Sequence, residues 1–477
     1  MSPHGLRCLR CLRSFVLATA TASLLAACAP AHRQAPALSQ VTLPAQWREA
    51  VPGSAQLESG WWHAFGDPAL SRLVDTALLH NTDVLAAAAR VDEARALVQG
   101  AEAASRPAVN AAVGAQTEHT LGTRSVSATH ALQPELQLSW EIDLWGRLRQ
   151  QAQAAGLRYQ ASQAERDGAA LSVAAMTAQA YVGLLALEAQ LQVVRATAAS
   201  RTEALRLASD QARVGYSSQL QLTQAQAELE AVQQSIPQVE LAILRQENAL
   251  RLLVGEAPGK VELVRGFEQL QLPAVPATLP SELLSRRPDV VGGELLLSAS
   301  DANLAARRSA FLPQVALSAS LGSLLVNALD YDPVTVWSLG GSILAPLFSA
   351  GRLNAQLGVA AAQRDQAAYA YRGAVLNALG DVENALGGVT RLRTQLGHAQ
   401  NRRAILVRSL MFAHDRYQAG YASYLEELDA QRNLYQLEID LIKLRQSQLD
   451  NLIALYRALG GGWSKNDKAV LSIELSR

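Results

Sequence analysis

The chain writes the same turn-into-helix signature twice. "RVGYSSQLQLTQAQAELE" begins at Arg213 and "QAGYASYLEELDAQRNLY" at Gln418, and an offset of 205 residues superposes Gly215 on Gly420, Tyr216 on Tyr421 and Ser218 on Ser423. The match continues through Leu220/Leu425, Ala225/Ala430, Gln226/Gln431 and Leu229/Leu434. "NTDV" at Asn81 answers "RPDV" at Arg287, Pro107 answers Pro313, and "WGRLRQQ" at Trp145 answers "AGRLNAQ" at Ala350. Such a period is too long for a solenoid repeat, so a whole structural unit is duplicated. Each half reads helix, strand pair, long helix, glycine turn, long helix. The expected organisation is a leader over 1–27, a linker over 28–60, the first repeat over 61–265, the second over 266–463 and a tail over 464–477.

The helices are expected to be long. Gly146 to Val214 contains no proline, and Leu, Val and Ala recur at helical spacing between Gln, Arg and Glu. At ~1.5 Å per residue such a helix reaches roughly 100 Å. A second helix returns over about Gln219–Val254, with Pro237 as the expected kink. The second half repeats this over Arg352–Gln418 and about Ser423–Leu459. Aromatic residues make up only 5% of the chain, and the 49% apolar fraction is mostly Ala, Leu and Val, which suits closely packed helices better than a bulky catalytic core. Long Ala-rich hairpins need partners on their flanks and are not stable alone.

A different period interrupts them. In "LQPELQLSWEIDL", Leu132–Leu144, every even position is apolar and every odd one polar. That alternation describes a strand with one dry and one wet face, as a transmembrane β-barrel requires, or the edge sheet of a soluble core. "AVNAAVGAQ" from Ala108, "PQVALSASLG" from Pro313 and "VTVWSLGGSILAPLF" from Val334 are the companion strands. Beyond the leader no run of about 18 apolar residues is apparent, so a membrane crossing is expected as strands. Four strands cannot close a barrel, and open edges cannot sit in lipid. Spanning strands therefore require several copies of the chain to share one barrel.

The first thirty residues read as a leader: Arg7, Arg10 and Arg13 precede the apolar "SFVLATATASLL". It ends in "LLAAC", small residues before Cys28, which resembles a bacterial lipobox and marks Cys28 for acylation; ordinary cleavage beside an incidental cysteine is the alternative. Two or more acyl chains would anchor the chain stably to lipid. Cys8 and Cys11 leave with the leader, so no internal disulfide is expected.

Lys plus Arg equals Asp plus Glu, 42 each, which gives no net field for nucleic acid. No catalytic, metal or cofactor motif is present: His32, His63, His80, His119, His130, His398 and His414 are scattered without ligand spacing, and no P-loop, GxSxG, CxxC or dinucleotide glycine pattern occurs.

"WWHAFGDPALSRLVDTALLHNTDV" from Trp61, "SWEIDLWGRLR" from Ser139 and "SRRPDVVGGELLLSASDANLAARRSAFLPQVALSASLG" from Ser285 resemble the outer-membrane efflux factor family, the TolC-like and OprM-like exit ducts. "PLFSAGRL" from Pro346 and "YQAGYASYLEELDAQRNLY" from Tyr417 complete an ordered set that points to the lipoprotein (NodT-like) branch serving RND-type tripartite systems. The resemblance implies a homotrimer in outer-membrane lipid, mainly α, with four strands per chain in a shared 12-stranded barrel and helical hairpins forming an α-barrel across the periplasm. It also implies an inner-membrane RND-type pump and a periplasmic adaptor as partners, and passive conduction of whatever the pump delivers. A type I secretion duct and, from a different class, a periplasmic coiled-coil scaffold are the alternatives.

Gly215 and Gly420 then fall at the hairpin turns. Only the second turn is followed by Glu426 and Asp429, which share a helix face; the first copy has Gln221 and Gln224 there. By resemblance Asp429 is an acidic ring, Glu426 a second ring and Leu425 an apolar constriction of a periplasmic gate, with Tyr417 and Arg432 as latches. Simple helix capping is the competing role for the acids. The chain departs from some relatives at Ala422, where they carry a latch Arg, and at Gln221, where they carry an Asp.

Overall fold

The computed structural model describes residues 41–49, 57–121, 126–276, 280–327 and 333–463; the leader, Cys28 and the tail lie outside the described residues. In chain order the main elements are α1 (Pro68–His80), α2 (Thr82–Ala103), β1 (Ala108–Leu121), β2 (Val126–Ile142), α3 (Arg147–Arg213) and α4 (Gln219–Leu253). The second half follows with α5 (Pro288–Ser309), β3 (Gln314–Val326), β4 (Val334–Leu344), α6 (Arg352–Gln418) and α7 (Tyr424–Ala458). The halves correspond in length: α2 and α5 have 22 residues each, α3 and α6 have 67, and α4 and α7 have 35.

The chain forms two compact units. One contains Asp92–Ala161 and Gly293–Arg372, hence the whole sheet; the other contains Val41–Val91, Ser162–Gly292 and the chain from Gly373 onward, hence the turns of both long hairpins.

In the second unit, side chains fix the helix ends. Asp67 caps α1 by accepting from the amides of Ala69 and Leu70, and its other oxygen accepts from the buried Tyr181 hydroxyl at 2.9 Å. Pro237 is accommodated within α4. Gly255 and Gly460, both at positive φ, end the returning helices α4 and α7. A Cβ at Gly255 would overlap the His80 carbonyl oxygen, and one at Gly460 would overlap that of Arg286, so the duplication copies even this close approach. Asn81 donates to the Leu253 carbonyl at 2.9 Å, and Arg287, its counterpart, donates to the Ala458 carbonyl at 3.3 Å.

Trp61, Phe65, Leu70, Tyr181, Leu184, Leu250 and Ile453 form one buried cluster, in which Trp61 stacks on Tyr456 with ring centroids 5.5 Å apart. Contrary to the sequence expectation, α3 does contain an 18-residue window apolar enough by composition to cross a membrane. That window is 67% buried within the protein, and Tyr181, Leu184 and Leu185 on α3 belong to the cluster. Its apolarity serves a protein core.

The sheet is antiparallel in the order β1-β2-β3-β4. β1 and β2 extend further than the expected strands, pairing as far as Leu121 with Val126. β2 ends at Ile142 and β4 at Leu344, short of the expected Leu144 and Phe348, because Asp143 turns to cap α3 and Pro346 cannot donate to a ladder.

Candidate channel-forming surfaces

The register shows what alternation does across four strands. Val109 pairs with Leu138, Leu138 with Ala319 and Ala319 with Leu339; two residues along, Ala111, Leu136, Leu321 and Trp337 form a parallel line. Partners in a ladder point to the same side, so one face of the whole sheet is apolar. It is also uncovered: Leu339 is 79%, Trp337 71% and Val113 70% exposed. The opposite face carries the line Asn110, Gln137, Ser320 and Ser338, whose serine hydroxyls bond each other at 2.8 Å, beside Glu135 and Glu141. Leu136, Leu138, Trp140 and Ile142 therefore share the apolar face, and Gln137, Ser139 and Glu141 the polar one. Among the described residues, nothing pairs with the outer edges of β1 and β4.

The hairpin turns in the other unit are built alike. Gly215 (φ 82°) and Gly420 (φ 76°) occupy the left-handed conformation with open space around them, so backbone geometry alone demands glycine. In each, the following tyrosine amide reaches back to close the turn: Tyr216 to the Gln211 carbonyl at 2.8 Å and Tyr421 to that of Arg416 at 2.9 Å. Ser218 accepts from the Gln221 amide; Ser423 makes no side-chain cap bond.

The residues singled out near the second turn divide by face. Leu425, Glu426, Asp429 and Arg432 are exposed on the first turns of α7, whereas Tyr424 and Leu428 pack against Ala208 and Ala225 with Tyr417 alongside. Neither acid stands alone. Glu426 lies 3.6 Å from Arg416, and Asp429 lies 3.5 Å from Arg432. Arg432 bonds across to Glu228 of α4, which raises the guanidinium pKa further, chiefly through that hydrogen bond. Glu228 also faces Arg201 of α3 at 4.0 Å, and Arg201, itself buried, donates to Gln431 of α7. This cluster ties the first hairpin to the second. The Tyr417 hydroxyl makes a further tie, donating to Gln211 at 3.2 Å and accepting from Gln221 at 2.6 Å. Burial raises its pKa, partly opposed by the bond from Gln221. Gln221, a neutral amide at the position where the resembled family can carry an Asp, thus donates to Tyr417.

Sequence reasoning passed over Glu427, the acid that the fold buries. It accepts from Gln431 at 3.0 Å and contacts His414 Nδ1 at 2.9 Å. A signal existed: at the offset of 205 its counterpart is Leu222, so an acid stands at an apolar helix position. Glu228 as the partner of Arg432 left no trace, since 204 residues separate them.

A chain that exposes one continuous apolar sheet face, leaves both sheet edges open and ties two long helical hairpins together has the fold of an outer-membrane channel. It belongs to the outer membrane efflux protein family, whose sequence profile matches residues 73–256 and again 279–461. The pyoverdine export outer membrane protein OpmQ of Pseudomonas aeruginosa is 33% identical over 460 residues, 93% of this chain and 97% of that one. The probable outer membrane lipoprotein SilC of Salmonella typhimurium is 30% identical over 456 residues, covering 94% and 98% respectively. A crystal structure of CusC, described for transmembrane channel formation, is 30% identical and superposes with a TM-score of 0.80 over 91% of this chain and 99% of that one. The protein is thus an efflux channel of the outer membrane, mainly helical with a four-stranded sheet.

Proposed function

We propose that the chain is the exit duct of a tripartite efflux system: a homotrimer that passively conducts substrates delivered by an inner-membrane RND-type pump through a periplasmic adaptor. The observation that carries this reading is the four-stranded sheet with a bare apolar face and two open edges. Unpaired backbone groups are costly in lipid, and four strands are half of the smallest bacterial barrel. Three copies supply twelve strands with the apolar face to lipid and the polar face to water. The long paired helices supply the α-barrel, and the second hairpin turn supplies its gate, with Leu425 as the constriction, Asp429 and Glu426 as acidic rings, and Tyr417 and Arg432 as latches. The substrate is whatever the pump delivers. OpmQ is named for pyoverdine, CusC for cation efflux and ArpC for antibiotics, so membership of the family fixes no cargo.

Cys28 carries the acyl anchor in this reading, supported by "LLAAC" behind a basic leader and by the lipoprotein SilC among the relatives. Labelling cells with a fatty acid should mark the wild type and not Cys28→Ser; equal labelling of both would remove the anchor. The channel itself is tested by purification from outer membranes and reconstitution. Heat-resistant trimers with unit conductance in planar bilayers are expected. A soluble, elongated monomer would overturn the proposal.

A further inference from the structure

The shared barrel proposed above leaves one seam undescribed, where β4 of one copy meets β1 of the next. The sheet contains enough geometry to determine its register. β1 and β3 run one way and β2 and β4 the other, so β1 of a second copy meets β4 antiparallel, as every other neighbour in the sheet does.

The line Val109–Leu138–Ala319–Leu339 crosses one copy perpendicular to its strands. Continuing past Leu339, it enters the next copy at some residue of its β1. Apolar must face apolar, because a slip of one residue turns every side chain of a strand to the other face. The entry point is therefore an odd-numbered residue: the partner's Val109, the partner's Ala111, the partner's Val113 or the partner's Ala115, an advance of zero, two, four or six residues from Val109.

Strand tilt selects among them. The advance per copy, multiplied by the rise per residue and divided by four strand spacings, is the tangent of the tilt, whatever the number of copies. With a rise of ~3.3 Å and a spacing of ~4.8 Å, advances of two, four and six give tilts of about 19°, about 35° and about 46°. Membrane barrels tilt by roughly 35–45°. Two is excluded, and four and six are left near the ends of that range.

The ends of the strands decide between these. With an advance of four, Leu344, the last residue of β4, faces the partner's Ala108, the first of β1. All 11 residues of β4 are then paired on both sides, as they also are with an advance of six, but only an advance of four sets the end of β4 flush with the start of the partner's β1. Outward neighbours are Ile343 with the partner's Val109, Leu339 with the partner's Val113, and Thr335 with the partner's Thr117. An advance of six sets Pro346, which has no amide hydrogen, against the partner's Ala108 and places the partner's His119 beside Thr335 on the apolar side. An advance of four in the reverse sense leaves only residues 334–336 opposite the partner's β1.

The geometry points to a seam in which Leu339 pairs with the partner's Val113, and Leu344 with the partner's Ala108. A second feature agrees with it. Leu347 and Phe348, directly beyond β4, are 97% and 90% exposed, and this register carries them past the start of the partner's β1, to positions beside its α2–β1 junction.

Disulfide mapping in the full-length protein tests the register. Ile343→Cys is combined in turn with Val109→Cys, Ala111→Cys and Val113→Cys. Ser342→Cys with Asn110→Cys reads the same register from the polar face, so that one of the two pairs falls at a closely spaced position. After mild oxidation of isolated outer membranes, denaturing electrophoresis counts the linked copies, with single-cysteine variants as background. The same-face neighbours two residues away lie beyond disulfide reach, so Val109→Cys should give at least ~5-fold more linked dimer and trimer than Ala111→Cys or Val113→Cys. A maximum at Ala111→Cys, or no linkage at any pair in variants that still run as native trimers, overturns the register and leaves the trimer standing. Native sizing that shows only monomers refutes the shared barrel itself.

Discussion

The tie between the two hairpins gives a sharp test of the proposed gate. Glu228 has a side chain only 14% exposed and lies between Arg201 (4%) and Arg432 (51%). Glu228→Gln keeps the shape and removes the charge that both guanidiniums face. Arg432 is half in water, so its pair is worth no more than ~1 kcal/mol. Arg201 differs. Removing one partner of a fully buried, hydrogen-bonded pair costs about 3–5 kcal/mol. The 4.0 Å contact of Arg201 with Glu228 is an ion pair without a hydrogen bond between α3 and α4 of the first hairpin, and Gln431 still accepts from Arg201, so losing that contact weakens the first hairpin and not its tie to the second. The tie therefore loses no more than ~1 kcal/mol, which at ~1.4 kcal/mol per decade is a shift of up to about 5-fold between the tied and untied arrangements. If that tie holds the gate shut, single-channel recordings of Glu228→Gln should show a correspondingly larger open fraction. Arg432→Ala should open it by about 5-fold at most, and the double variant should fall short of the product because the residues share a contact. Glu240→Ala is the control: it breaks an exposed ion pair with Arg195 between α3 and α4 of the first hairpin alone, and should change nothing. An unaltered open fraction in Glu228→Gln, or an equal effect from Glu240→Ala, would refute the reasoning.

Three further outcomes are expected. Glu426→Ala with Asp429→Ala should reduce cation selectivity and block by trivalent metal ions; the neighbouring Arg416 and Arg432 already offset these acids, so Arg416→Ala should do the opposite, and unchanged selectivity in both would return the acids to helix capping. Leu138→Arg on the apolar sheet face should cost about 2–4 kcal/mol of barrel stability while Gln137→Arg on the polar face is mild, measured as the loss of heat-resistant assembly, and equal damage would mean that the sheet does not span lipid in this orientation. Burial raises the Asp450 carboxyl to about 6 from 3.8, so the folded chain holds this proton more tightly than the unfolded one and loses stability as pH rises from about 4 to about 6; Asp450→Asn should gain on the order of 1–2 kcal/mol at pH 7.5, after discounting for partial exposure, and nothing at pH 4, with a Tm gain equal at both values refuting it.

What the sequence disclosed and what it hid follow from range. The limits of α3, α4, α6 and α7 were legible to within one residue: α3 and α6 are proline-free periodic runs that end at Gly215 and Gly420, whose turns are closed by bonds five residues long, and α4 and α7 start directly beyond those turns. Strand limits were less legible. In β1 and β2 the alternation dissolves over Thr117–His119 and Ala128–His130, yet the ladder continues, since backbone pairing does not need an apolar face. At the second turn the sequence picked out acids by contrast with the first copy. That comparison put Glu426 and Asp429 on one helix face, which the fold leaves exposed, but missed Glu427, whose value lies in what surrounds it: His414 from α6 and Gln431 one turn on. The ties that join the hairpins, Glu228 to Arg432 and Tyr417 to Gln211 and Gln221, couple positions about 200 residues apart, where no local spacing rule reaches. The duplication nevertheless explains why they exist. Two copies of one hairpin bring like surfaces together, and some of the polar ties between them use residues in which the copies differ. At the offset of 205, Ala227 answers to Arg432, Glu228 to Asn433, Ala212 to Tyr417 and Gln211 to Arg416, so the Arg432–Glu228 and Tyr417–Gln211 ties between the hairpins fall where the repeat is broken.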